Sequence, residues 1–281
     1  MRRLALVFIA FLSLAVFWRI VNTRAYQPDM GINLVVVGED KVSVVGISKN
    51  KEGVVWVDLP SNLKVDGYPA VSIWGLGEIE GRSEELVVSS LGEGLGLWLG
   101  AALKVEGNAS VDGLLKRLLS VRGIKGLSWL DRYTLYKDVS SLATKGVVLE
   151  MSLPNQVRDS VQDVDGYEWQ ELNEAVFVWS RELWPKEEIV NLGITAEVVN
   201  VSGDPGKARI RARQLESIGF RVVKVDTGSE EISKKCLVKI NPEMVEKNEF
   251  LKQLLKIYLR CEVQMEDEMD DVFGDLVFLV G

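Results

Sequence analysis

Residues 194–225 constrain the fold most, because their pattern predicts a strand, a glycine turn, a helix and a second strand. Residues 194–201 are mostly apolar and β-branched, which favours a buried strand. After the turn, Asp204 and Pro205 predict the N-cap and the first residue of a helix. Aspartate accepts from the free N–H groups there, and proline has no N–H to satisfy. Gly219 predicts the end of the helix, since glycine adopts positive φ at low cost.

The residues after this unit predict its completion as a small domain. Residues 234–240 favour a strand, and residues 262–265 and 275–280 favour two more. Between them, an apolar face at i, i+3, i+4 and i+7 predicts a helix over about 242–259. That face consists of Leu251, Leu254, Leu255 and Tyr258. The order β-α-β-β-α-β-β predicts a two-layer sandwich with its helices on one face.

The turn and helix of this unit resemble the opening of the LytR C-terminal domain, a bacterial envelope module. The resemblance covers about residues 194–281. The matching positions are Asn200, Ser202, Gly203, Gly206, Ala208, Leu215, Gly219, Phe220 and Val222. All eight tryptophans lie at or before Trp184, which supports a domain boundary near residue 190. We therefore expect a LytR C-terminal-like domain over residues 191–281.

The N-terminus carries an apolar run that predicts a membrane anchor. Residues 4–21 would form a helix roughly 27 Å long, enough to cross a hydrocarbon core. Arg2 and Arg3 favour a cytoplasmic N-terminus, so the chain beyond the run would lie outside the cell. A cleaved signal peptide is the main alternative, with residues 23–25 as an imperfect cleavage site, and a helix of a soluble core is another. We predict anchor and linker over residues 1–25 and a single-pass protein of the cell membrane.

Residues 26–190 predict a larger α/β domain. Strand-like runs occupy residues 32–37, 41–47, 54–59, 94–105 and 146–153, and helical runs occupy 83–91, 111–119, 127–142 and 175–184. Residues 60–68 and 155–174 are predicted as loops, and residues 185–193 as the connection between domains. The predicted fold class is α/β (α+β): a transmembrane helix, a larger α/β domain and a small C-terminal sandwich.

Three segments of this domain resemble the LytR-CpsA-Psr family, at residues 33–40, 56–60 and 95–119. The resemblance implies a membrane-anchored enzyme that moves anionic glycopolymer from a polyprenyl-pyrophosphate carrier to peptidoglycan. Such an enzyme uses arginines for the pyrophosphate and aspartates for Mg²⁺.

The sequence departs from that pattern. Pro60-Ser61-Asn62 stands where the family has Pro-Arg-Asp, Arg158 and Arg181 are isolated, and only Asp40 matches a motif aspartate. Because a pyrophosphate needs clustered arginines or a metal, we interpret the domain as degenerate and assign no catalytic residue, metal ligand or cofactor. Mg²⁺ would be needed only if the domain is a phosphotransferase after all.

Composition limits the other candidate functions. The chain has no histidine, which excludes histidine-based triads, and its net charge of −8 argues against nonspecific nucleic-acid binding. Glycines 92, 94, 96 and 100 do not match a dinucleotide-binding motif, so close packing or turns are the better interpretation. The acidic residues of 266–271 favour a solvated loop over a cation site. Cys236 and Cys261 form either a disulfide or two free thiols.

One anion site is predicted, at Gly203, Gly206, Lys207 and Arg209. Basic side chains at a helix N-terminus oppose the helix dipole, and that conflict favours an anion held by free N–H groups and these cations. A solvated basic face is the alternative. We expect a non-catalytic envelope protein that binds or scaffolds at the cell wall, with cell-wall polymer or envelope proteins as partners. A purely structural partner of an active paralogue is a third hypothesis.

Overall fold

The computed structural model describes residues 26, 28–39, 41–48, 53–67, 71–73, 83–162, 164, 166, 168–184, 186–232, 235–267 and 273–281. The predicted anchor at residues 1–25, Asp40 and part of the acidic cluster lie outside these residues. Within the described ranges, none of the helices is long and apolar enough to cross a membrane.

The first unit is built on a five-stranded mixed sheet. Its strands are β1 (Ile32–Val37), β2 (Val42–Ser48), β3 (Gly53–Leu59), β6 (Ala101–Lys104) and β7 (Val148–Ser152), in the order β6-β1-β2-β3-β7. The strands β1, β2 and β3 are rich in valine, as a sheet covered on both faces requires. The runs predicted at residues 32–37, 41–47 and 54–59 are therefore confirmed to within a residue or two.

Helices cover both faces of this sheet. They are α1 (Glu84–Leu95), α2 (Val111–Leu119), α3 (Trp129–Thr144) and α4 (Ala175–Leu183). Apolar side chains of α1 and α4 share one core with the sheet, and those of α2 and α3 share another. Serine starts three of these helices: Ser83, Ser110 and Ser128 each accept a backbone hydrogen bond from the first turn.

Two predicted loops are wrong because they contain strands. Residues 60–68 include β4 (Leu63–Gly67), and residues 155–174 include the hairpin β8 (Arg158–Gln162) and β9 (Glu168–Leu172). With β5 (Val71–Ile73) they form a small sheet in the order β5-β4-β9-β8. The hairpin is polar, with β8 mostly exposed and β9 mostly half-buried, so its sequence lacks the apolar alternation that predicts a strand.

The C-terminal unit has the predicted order of elements. Its sheet runs β11 (Arg221–Thr227), β10 (Thr195–Asn200), β14 (Leu276–Val280), β12 (Cys236–Ile240) and β13 (Glu262–Met265). Its helices are α5 (Glu187–Leu192), α6 (Lys207–Ser217), α7 (Pro242–Lys247) and α8 (Glu249–Gln253), followed by a π turn at Leu254–Tyr258. One hydrophobic core joins the helices to the sheet, as in a two-layer α/β unit.

The start of α6 differs from the prediction, which placed the N-cap at Asp204 and the first turn at Pro205. Gly206 is the N-cap, with φ 88°, and the helix begins at Lys207. The Asn200 side chain accepts from the Ser202 amide at 3.1 Å and donates to the Asp204 carbonyl at 2.7 Å. This side-chain turn competes with the helix for backbone groups and delays its start.

Cys236 and Cys261 form a disulfide, which decides the alternative that the sequence left open. The glycines of 92–100 serve packing: a Cβ on Gly94 would lie 2.5 Å from Val65, and Gly96 ends α1 with φ 65°. No property of a nucleotide loop is needed to explain them.

The two units pack closely where the chain crosses between them. Met30 and Ile189, from the N-terminal side of the predicted boundary, lie in the core of the C-terminal unit. The domain boundary predicted between residues 190 and 191 falls inside helix α5. That boundary stays a prediction. A second contact between the units, between α1 and α6, borders a cleft.

Candidate functional site

One face of α6 lines a cleft of about 420 Å³ between the two units. Lys207, Ile210, Arg211 and Gln214 line it because they recur at i, i+3, i+4 and i+7 along the helix. The opposite wall comes from α1 and from residues 97–99, which follow it, and Lys235 and Val280 of the C-terminal unit complete the cleft. We call this the interunit cleft.

Arg211 is the central cation of the interunit cleft. Its guanidinium lies 4.4 Å from the centre of the Trp98 ring and donates to Gln214 Oε1 at 3.0 Å. Gln214 Nε2 in turn donates to the Leu97 carbonyl at 3.3 Å. Burial lowers the pKa of Arg211 to about 10, and Glu93 partly opposes this shift. Arg211 is therefore a partly desolvated side chain that keeps its positive charge at neutral pH.

The described residues satisfy Arg211 with a ring and a neutral amide, and none of their carboxylates forms an ion pair with it. A charged hydrogen bond is about twice as strong as a neutral one, so an incoming anion would be preferred over this arrangement. Lys207 and Lys235 line the same cleft, and Glu93 is the one acidic side chain among its described lining residues. The side chains that line the cleft therefore carry a net positive charge, in a chain whose net charge is −8.

Trp98 connects this cleft to the C-terminal core. Its ring lies 6.4 Å from that of Tyr258, whose hydroxyl faces the Trp98 carbonyl at 3.5 Å. Lys186 lies 4.2 Å from the centre of the Tyr258 ring. A second cavity of about 240 Å³ shares Trp98 and is also lined by Lys125 and Arg260. Trp98 therefore separates two adjoining cavities.

Burial of Tyr258 raises its pKa, and this shift makes the fold sensitive to alkali. Because the unfolded chain loses the phenol proton from about pH 10, stability is present below that pH and is lost as the pH rises above it. We expect Tyr258→Phe to reduce the loss of unfolding free energy above pH 10 by up to about 1.4 kcal/mol per pH unit. Urea unfolding midpoints above and below pH 10 measure this, and parallel curves for both proteins would contradict it.

The structure brings only part of the predicted anion site to the cleft. Lys207 lines the cleft and pairs with Asp204 at 3.0 Å. Gly203 and Gly206 shape the preceding turn with φ 78° and 88°. Arg209 is exposed on another face of α6, 3.9 Å from Glu174. Binding of an anion at these four residues stays a prediction.

Arg211 and Trp98 line the cleft but lie outside the four residues predicted as the anion site. Arg211 follows Lys207 by four residues, so helical spacing alone could have placed both cations on one face. Trp98 lies in a glycine-rich stretch whose packing depends on contacts far along the chain. No sequence pattern marks such a residue.

Three arginines of the first unit already bind protein groups. Arg117 donates to the carbonyls of Arg122 and Gly123 at 3.0 and 3.1 Å, and Arg132 donates to that of Ser120 at 2.8 Å. Arg158 binds the side chains of residues 155 and 170. Asp40 lies outside the described residues, and within them no group of acidic residues or cysteines could hold a metal ion.

Comparisons with known proteins give only distant likenesses. No family model and no curated protein sequence matches the chain. The solved structure of TagT bound to LIIa-WTA has 11% identity and a TM-score of 0.41, covering 59% of this chain and 92% of that one. B. subtilis TagT has 10% identity and a TM-score of 0.36, covering 56% and 91%.

A LytR-Csp2A-Psr enzyme from Actinomyces oris has 12% identity and a TM-score of 0.36, covering 53% of this chain and 88% of that one. All three likenesses have low identity and TM-scores below 0.5. Similarity this low says nothing about the activity or the ligands of this chain.

Proposed function

We propose that the chain is a membrane-anchored, extracytoplasmic cell-envelope protein whose interunit cleft binds an anionic cell-wall polymer without transferring it. The observation that carries the proposal is Arg211, held partly buried on Trp98 in a cleft where Glu93 is the one acidic side chain among the described lining residues. The envelope location is supported by the apolar run at residues 4–21 and by the two sequence resemblances. The envelope location is itself part of the proposal.

The cleft suits a short stretch of phosphate-bearing polymer. Its volume of about 420 Å³ falls within the range of small-ligand sites, so it would hold only one or two repeats of a polymer. Arg211 can bind a phosphate through two N–H groups, and Lys207 and Lys235 add point charges. The C–H groups of a polyol would lie against the Trp98 ring. We expect added salt to weaken binding, because it screens the attraction between partly exposed cations and a phosphate.

The contacts of three arginines in the first unit favour binding of a polymer without its transfer. Arg117, Arg132 and Arg158 bind carbonyl or side-chain oxygens of the chain, so using them on a pyrophosphate would first break those bonds. In addition, Ser61 and Asn62 stand where the resembling family has an arginine and an aspartate. A glycopolymer phosphotransferase is the alternative, and it would require Mg²⁺.

We expect Arg211→Gln to weaken binding of an oligo(glycerol phosphate) probe by about 10- to 150-fold. A hydrogen bond to a charged group contributes about 1.5–3 kcal/mol, which corresponds to that range of dissociation constants. Isothermal titration at low salt measures the constants.

Arg221→Gln is the matched control, because it removes the same charge from an exposed position on β11. It should leave binding within about twofold, as exposed charges contribute little. Equal losses in both variants would mean that net charge and not the cleft binds the probe. Mg²⁺-dependent transfer of polymer from polyprenyl-pyrophosphate lipid to peptidoglycan would replace this proposal with the enzyme alternative.

A further inference from the structure

One end of the first unit carries an exposed apolar patch made of Leu119, Val121, Trp129 and Tyr133. Their exposed fractions are 53%, 100%, 68% and 45%. The rings of Trp129 and Tyr133 stack, with centroids 5.9 Å apart and 8° between their planes. Single exposed apolar residues are ordinary, but a group of large ones at one end of a helix pair indicates a contact surface. We call it the aromatic patch.

Arg132 ties the turn that carries Val121 to helix α3. Its guanidinium donates to the carbonyls of Ser120 and Arg122 at 2.8 and 3.0 Å, and these residues flank Val121. Arg132 also follows Trp129 by three residues, which places the two on neighbouring positions of α3. The turn that carries Val121 is therefore tied to the first turn of the helix that carries the two rings.

The chain enters the fold next to this patch. Tyr26 is buried, its amide donates to Asp131 Oδ1 at 3.1 Å, and its hydroxyl donates to Asp138 Oδ2 at 2.9 Å. Asp131 lies in the first turn of α3, as Trp129 does. In the sequence, the apolar run ends at Val21, and the five residues to Tyr26 reach at most about 18 Å when extended.

Basic side chains surround the patch. Lys116, Arg122 and Lys137 are exposed, and Lys137 Nζ lies 5.9 Å from the centre of the Tyr133 ring. Tryptophan and tyrosine prefer the boundary between water and hydrocarbon, and lysine and arginine attract anionic headgroups. This combination fits a lipid surface better than a glycan, because Leu119 and Val121 add aliphatic area that a hydrophilic sugar chain does not need.

We propose that the aromatic patch docks on the outer leaflet of the bilayer that holds the N-terminal apolar run. This docking rests on the membrane anchoring in the proposed function and adds an orientation to it. The short connection to Tyr26 keeps α3 near the lipid surface, so contact costs little further ordering. The patch then sets which faces of the two units point toward the cell wall.

The test uses the full chain with Val121→Cys labelled by an environment-sensitive fluorophore. Its two natural cysteines are paired, so the new thiol reacts alone. The chain is reconstituted into vesicles of phosphatidylglycerol and phosphatidylcholine that carry brominated acyl chains. We expect about threefold more quenching at position 121 than at Val164→Cys, because docked groups reach the boundary of headgroups and acyl chains. Val164 is also fully exposed, between β8 and β9 and outside the aromatic patch.

A double substitution, Trp129→Glu with Tyr133→Glu, should reduce quenching at position 121 to that at 164. Both residues are exposed, and a circular dichroism spectrum and a urea midpoint equal to those of wild type would confirm that the variant folds. Equal quenching at the two positions, or no effect of the double variant, would overturn docking and leave anchoring in place. A chain that fails to float with vesicles would overturn both. Equal quenching with patch-dependent binding to purified peptidoglycan would assign the patch to glycan.

Discussion

Phe278→Ala should lower the free energy of unfolding of the C-terminal unit by about 3–5 kcal/mol. Phe278 is fully buried on β14, the central strand of the sheet. Its ring meets that of Phe220 edge to face, with centroids 5.7 Å apart. Truncation removes buried apolar area, leaves a cavity and loses the ring contact, and these losses act in the same direction. Urea denaturation followed by circular dichroism measures the change.

Phe273→Ala is the matched control for this core substitution. Phe273 is 71% exposed, and Lys224 Nζ lies 4.8 Å from the centre of its ring. Its removal should cost about 1 kcal/mol or less, as for an exposed cation–π pair. Similar losses in both variants would show that β14 is not the centre of the C-terminal core.

Strong local patterns explain why much of the fold could be predicted. The valine-rich runs of β1 to β3 are covered on both faces, so burial and strand propensity agree there. The amphipathic helix predicted at residues 111–119 matches α2 to the residue. In each case, the residues that set the element also bury its inner face.

Prediction failed where local signals competed or were absent. Asp204 looks like an N-cap, yet the Asn200 side chain holds its carbonyl in a turn. The hairpin of β8 and β9 is polar on both sides and gave no periodic signal. The interunit cleft depends on Trp98 meeting Arg211, 113 positions later in the numbering. Contacts of that kind depend on tertiary packing, which the order of residues does not show directly.

Removal of the disulfide, through Cys236→Ala with Cys261→Ala, should destabilise the C-terminal unit by about 3.5 kcal/mol. The bond joins residues separated by 25 positions, and freeing a loop of that length raises the entropy of the unfolded chain by about this amount. Both cysteines are buried, so alanine leaves no unsatisfied polar group. Urea midpoints of the double variant against wild type measure the loss.

The same bond also supports the cleft and tests the proposed location. Cys261 follows the π turn whose Tyr258 packs on Trp98, so the double variant should bind the oligo(glycerol phosphate) probe more weakly even where it is folded. In an oxidising compartment, neither cysteine of the native protein should react with maleimide after denaturation without reductant. Two reactive thiols in protein taken directly from its membrane would contradict both the pairing and an extracytoplasmic C-terminal unit.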